Sequence, residues 1–124
     1  MSWITTHVLD TAAGRPAAGV PVVFSRVEPS GELTRLAEGV TNADGRVADL
    51  LEADEPPVAG VFQMAFDTAA YYASGGPDGA ESGGGQESFY PRVEVRFRVT
   101  EGGGGHYHVP LLLSPFGYST YRGS

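Results

Sequence analysis

The chain predicts an all-β fold, a two-sheet sandwich with one short helix. Three observations carry this. Period-two alternation of apolar and polar residues recurs along the chain, as in Val93, Val95, Phe97 and Val99 set between Glu94, Arg96 and Arg98. Such alternation gives a strand one buried and one solvated face. Gly 18 and Pro 9 among 124 residues supply frequent turns between short strands. Only one segment breaks the period, and it is too short to organise a helical layer. The length suits one domain spanning residues 1–124, and 41% hydrophobic residues suffice for one modest core.

The elements follow in order. Ile4–Asp10 reads as a first strand, ended by turn residues around Gly14 and Pro16. Residues 20–28 and 33–38 form a hairpin about Pro29, Ser30, Gly31 and Glu32. Residues 47–51 read as a further short strand. Phe62, Met64 and Phe66 point inward between Gln63, Ala65 and Asp67. Residues 67–74 offer a capping hydroxyl followed by alanines, the pattern of a helix of about two turns. Residues 75–88, rich in Gly, Ser and acidic residues, hold too little apolar surface to fold alone and read as a loop. Residues 93–99 form the next strand. A glycine turn at 102–105 leads into a final pair, residues 106–114 and 117–122, joined by Ser114-Pro115-Phe116-Gly117. The total is about eight strands.

Charge and composition remove several function classes. A net charge of −7 repels phosphate backbones, so no nucleic-acid partner is expected. The chain has no cysteine, which excludes disulfides, thiolate nucleophiles and cysteine-held metal. No stretch approaches the ~18 apolar residues of a membrane helix. No basic and apolar leader is visible at the start. A cytoplasmic protein with no membrane association is expected.

Alternation also says which polar side chains share a face. His106, His108, Pro110 and Leu112 point one way. His7 and Leu9 share a face of the first strand, and Ser119 and Tyr121 share one of the last. Pro110 cannot donate to a ladder and marks an irregular or edge position. Taken alone, His7 is an ordinary core-edge histidine, Arg46 an exposed arginine after a turn, and Ser124 a chain-terminal serine. His106 and His108 make an H-x-H pair, which on a strand can form half a metal site. With three histidines in the chain and no further ligand set, no metal is expected. Asp10 reads as a turn or cap residue. Arg92, Arg96 and Arg98 read as a solvated face.

Three motifs in order add a resemblance. His106-Tyr107-His108-Val109-Pro110-Leu111-Leu112-Leu113-Ser114-Pro115-Phe116-Gly117 runs directly into Tyr118-Ser119-Thr120-Tyr121-Arg122-Gly123-Ser124. With Thr6-His7-Val8-Leu9-Asp10-Thr11 and Thr41-Asn42-Ala43-Asp44-Gly45-Arg46, this resembles the transthyretin-like 5-hydroxyisourate hydrolase family nearly end to end. The resemblance implies a transthyretin-like (prealbumin-like) sandwich assembled as a homotetramer, a dimer of dimers, with active sites in the channel between dimers. It implies hydrolysis of 5-hydroxyisourate to 2-oxo-4-hydroxy-4-carboxy-5-ureidoimidazoline in urate degradation, with no cofactor. His7, Arg46, His108 and Ser124 are the implied catalytic residues. His7, Arg46, Tyr121 and Ser119 are the implied substrate contacts. His106 carries over less firmly and reads as structural. Arg122 reads as an anchor, paired with an acidic residue. The residue types suit the chemistry: a neutral imidazole accepts a proton from water near neutral pH, and a guanidinium stabilises developing negative charge. The alternative is a non-catalytic small-molecule carrier using the same channel, which would favour apolar or small groups on that face.

Overall fold

A computed structural model describes residues 3–47, 50, 59–75, 88–100 and 106–123. Two four-stranded sheets face each other. In the first, β1 (Ile4–Asp10) lies between β2 (Arg15–Pro16) and β7 (Tyr107–Ser114), and β7 also carries β8 (Gly117–Thr120). In the second, β3 (Pro21–Val27) and β5 (Gly60–Phe66) are central, flanked by β4 (Leu33–Val40) and β6 (Val93–Val99). One helix, α1 (Thr68–Ala73), follows β5. The expected loop within 75–88, the turn at 102–105, most of the short strand at 47–51 and Ser124 lie outside the described residues. Among the described residues, no helix is long and apolar enough to cross a membrane.

The alternation in β1 is complete. Ile4, Thr6, Val8 and Asp10 are buried, while Thr5, His7 and Leu9 are half-buried on the outer face. The inward residues of both sheets close the core, with Val8, Val22, Phe24, Met64, Phe66 and Leu111 almost wholly hidden. Trp3 packs its ring edge to face on Phe24 at 5.8 Å, Phe62 at 5.6 Å and Tyr107 at 6.2 Å. Tyr107 belongs to the first sheet and the two phenylalanines to the second, so one indole bridges the layers.

β5 departs from the expected half-solvated pattern. Gln63 and Ala65 are 1% and 3% exposed, as hidden as the core face. The strand is central, and the Arg96 side chain of β6 lies over it, its Nε donating to Gln63 Oε1 at 2.8 Å. Arg96 is therefore tied to the sheet, whereas Arg92 pairs with Glu94 at the surface. The helix cap also differs from expectation. The Asp67 carboxylate accepts from the Ala70 N–H at 3.0 Å, while the Thr68 hydroxyl donates to the Tyr90 carbonyl. A short carboxylate at this position satisfies a helix N–H that has no partner within the helix.

Asp10 does more than shape a turn. One oxygen accepts from Ala13 N–H at 2.9 Å, and the other accepts from the Tyr71 hydroxyl at 2.8 Å. Tyr71 is fully buried, so α1 is fastened to the end of β1 by a hidden hydrogen bond. Burial, then the bond to Asp10, raises the Tyr71 hydroxyl well above the ordinary value of 10.0. Burial first, then the Asp10 charge, pushes Tyr72 up to about 12. The Tyr72 hydroxyl has no hydrogen-bond partner among the described residues.

The two tyrosines should separate in unfolding experiments. Tyr71→Phe strips a charged acceptor of its donor and is expected to cost about 1.5–3 kcal/mol. Tyr72→Phe removes a hydroxyl that gains no bond and is expected to be neutral or slightly stabilising. Because both pKa values are raised on folding, the stabilisation is full below pH 10 and falls as pH rises above it. Urea denaturation of both variants at pH 7 and in the alkaline range tests both statements.

Candidate functional site

β1 and β7 pair in parallel over seven positions, from Ile4 with Tyr107 to Asp10 with Leu113. β7 and β8 pair antiparallel, with Leu111 opposite Thr120 and Leu112 opposite Ser119. The outer face of three strands therefore divides into rows. Thr5 stands beside His108, His7 beside Pro110, and Leu9 beside Leu112, which faces Ser119. An isolated bridge from His108 to Gly123 continues the β7–β8 register without a shift, so Tyr121 falls opposite Pro110.

Arg46 reaches this face through a tight turn. Asn42 Oδ1 accepts from the N–H groups of Asp44 at 2.9 Å and Arg46 at 3.1 Å, and Gly45 N–H donates to the Asn42 carbonyl at 2.9 Å. This local network competes with a longer strand and folds the segment back on itself. The Gly45 carbonyl then accepts from Val8 N–H at 2.8 Å, and Arg46 forms an isolated bridge with His7. Gly45 has φ +76°, and a Cβ there would lie 2.4 Å from the Val8 carbonyl oxygen and 3.2 Å from the His7 ring. Only glycine brings Arg46 this close to β1.

His108 is the most constrained of the histidines. Its Nδ1 lies 2.8 Å from the Thr5 hydroxyl, which also lies 3.2 Å from His106 Nε2. Partial burial lowers the His108 pKa below 6.5, and its neighbours Arg46, His106 and His7 lower it further. The Thr5 backbone opposes this as the smallest contribution. His108 is thus neutral at pH 7, beside a fixed cation. His7, Arg46 and His108 come together, and His106 joins them through Thr5.

The tail is pinned. Gly123 N–H donates to the His108 carbonyl at 2.9 Å, and a Cβ on Gly123 would meet the His108 ring at 2.4 Å. The Thr120 hydroxyl donates to the Pro110 carbonyl at 2.7 Å. Pro110 does not sit on an edge strand, since β7 is central. Its effect is the irregularity: it offers no N–H to Tyr121, regular β8 stops at Thr120, and the chain rejoins at Gly123. Arg122 anchors the tail by stacking 4.5 Å above the Tyr107 ring.

The remaining expected residues are spread more widely. Ser119 shares the face but stands four β7 positions from His108, about 13 Å along the strand. Tyr121 is 56% exposed and also borders a cavity of about 230 Å³ with Val95, Phe97, Tyr107 and Arg122. Among the described residues, no three His, Cys, Asp or Glu side chains cluster as metal ligands. Thr5 was not singled out in the sequence. Its place two residues before His7, on the same face, was the available signal.

Known proteins match this chain along nearly all of its length. The profile of the HIUase/Transthyretin family matches residues 4–123. The 5-hydroxyisourate hydrolase of Mus musculus is 45% identical over 98% of this chain and 94% of its own. That of Mesorhizobium japonicum is 44% identical over 98% of this chain and 91% of its own. Among solved structures, the Klebsiella pneumoniae 5-hydroxyisourate hydrolase superposes with a TM-score of 0.75 at 40% identity, over 100% of both chains. Transthyretin from Sparus aurata superposes with a TM-score of 0.79 at 34% identity, over 99% of this chain and 97% of its own. With two facing four-stranded sheets and a match from residue 4 to residue 123, this chain belongs to the HIUase/transthyretin family.

Proposed function

We propose that the chain is a 5-hydroxyisourate hydrolase, with His7, Arg46 and His108 as its catalytic centre. One observation carries this reading: a half-buried imidazole, kept neutral by its surroundings, shares a sheet face with a second histidine and a guanidinium. A neutral His108 accepts a proton from water as the water oxygen bonds to a ring carbonyl carbon. Arg46 stabilises the negative charge that develops on the carbonyl oxygen. The ring C–N bond then breaks, the nitrogen takes up a proton from an imidazolium, and the carboxylic acid so formed releases its remaining proton to become a carboxylate. His7 orients the substrate beside Arg46. Tyr121 supplies a ring face and hydroxyl to the flat heterocycle. Ser119 bounds the far end of the face, and Ser124 is assigned to the site from its motif. The carrier alternative is less well supported, because this face concentrates cationic and imidazole groups where a carrier would favour apolar or small ones.

The assembly belongs to the same reading. Leu9 and Leu112 add half-buried apolar surface to the outer face, and at the β7–β8 end Phe116 and Tyr118 are 77% and 42% exposed. Exposed apolar surface of this kind favours burial between copies. We infer a homotetramer, with the outer faces of two dimers enclosing the site.

Freshly made 5-hydroxyisourate, which also decays spontaneously, should lose its absorbance much faster with the protein present. His108→Ala and Arg46→Ala should keep the fold and each lower kcat by about 10²–10⁴. Decay at the background rate with folded wild-type protein would overturn the hydrolase reading. The acid limb of the rate profile should lie below pH 6.5, because activity needs neutral His108 and is lost as pH falls through its lowered pKa. Light scattering should give four times the chain mass, and a monomer would oppose a site enclosed between dimers.

A further inference from the structure

One hydroxyl stands between two imidazoles. Thr5 Oγ1 is 2.8 Å from His108 Nδ1 and 3.2 Å from His106 Nε2. A hydroxyl has one proton to give and lone pairs to accept. The hydroxyl therefore either donates to His108 Nδ1, or accepts from His108 Nδ1–H while a second lone pair or its own proton meets His106 Nε2.

The two arrangements leave His108 chemically different. In the first, Nδ1 is an acceptor, the proton sits on Nε2, and that nitrogen has no lone pair for water. In the second, Nδ1 holds the proton and Nε2 is a free base. The Thr5 hydroxyl occupies Nδ1 at 2.8 Å, which leaves Nε2 as the nitrogen to meet water, and Nε2 is a base only with the ring proton on Nδ1. His7 on β1, Arg46 at the bridge and His106 on β7 are the titratable or charged groups acting on His108, and none is an anion. The Thr5 hydroxyl is thus the acceptor for Nδ1–H.

We propose that Thr5 is a positioning residue for the hydrolysis, its hydroxyl holding the His108 proton on Nδ1 so that His108 Nε2 is the basic nitrogen. The catalytic use of this tautomer rests on the hydrolase reading. During turnover one water proton goes to Nε2 and passes from there to the leaving ring nitrogen, the Nδ1 proton stays in place against Thr5, and the second water proton is released as the new carboxylic acid ionises.

The test is imidazole ¹⁵N–¹H correlation spectroscopy on the full chain at neutral pH, where the two nitrogen shifts report which one bears hydrogen. Wild-type His108 should show a protonated Nδ1 and a bare Nε2. Thr5→Val keeps the β-branched shape and the strand while removing the hydroxyl. It should shift His108 towards a mixture of tautomers, and Thr5→Ser should restore the wild-type pattern. Steady-state rates with 5-hydroxyisourate should show kcat lowered about tenfold in Thr5→Val with KM little changed, and recovery in Thr5→Ser. A wild-type His108 protonated on Nε2, or identical tautomers in wild type and Thr5→Val, would overturn the proposal. The spectra bear on the tautomer even if this substrate is not hydrolysed, so its failure and that of the hydrolase reading are distinguishable.

Discussion

The parallel ladder between β1 and β7 is the interaction on which the site depends. It joins segments about one hundred residues apart in sequence, Ile4–Asp10 and Tyr107–Ser114. Parallel strands need a long crossover, and here that crossover comprises the whole of the second sheet and the helix. The ladder is held from both faces. Inside, Ile4, Val8, Leu111 and Leu113 are buried, and the Thr6 hydroxyl donates to the Val109 carbonyl at 2.7 Å. Outside, Thr5 meets His108. A slip of one residue would turn the apolar set outward and the histidines inward. The core therefore holds the register that places His7 and His108 on one surface.

Two glycines let other segments approach this ladder. At Gly45 a side chain would strike the Val8 carbonyl, and at Gly123 it would strike the His108 ring. Each glycine precedes or follows an arginine with a defined role in position: Arg46 bridges to His7, and Arg122 stacks on Tyr107. Backbone contact at these two points replaces long, flexible side-chain reach. The resulting loss of freedom is confined to the folded chain, so the groups are arranged before any substrate arrives.

Electrostatics then sets the chemistry that the geometry allows. A histidine in water is partly charged near neutral pH. His108 is moved towards neutrality by partial burial and by neighbours of one sign. A carboxylate beside it would reverse that effect. The buried acid of this sheet, Asp10, is instead engaged at the far end of β1 by Tyr71 and the Ala13 N–H. Acid and base are thereby kept on neighbouring strands, towards opposite ends of the β1–β7 ladder.

Much of this was legible in the sequence, because alternation reports burial directly. The faces of β1, β6 and β7, the hairpin of β3 and β4, and the grouping of His7 with Leu9 and of His108 with Pro110 follow from period two. Three separated motifs in order were enough to identify the family. The tertiary structure decided what a linear pattern does not contain. Strand neighbours are chosen by burial of the whole core, so the pairing of β1 with β7 could not be read from either strand. Gln63 is buried because β5 is central and Arg96 lies over it, a fact of sheet order and not of residue type. Pro110 interrupts the tail from within a central strand, and the Thr5 hydroxyl bridges two histidines only because the register puts it there. The sequence by itself determined which side chains face together; the packed core determined which of those faces became one surface, since that choice is made by hydrophobic contacts distant in the chain.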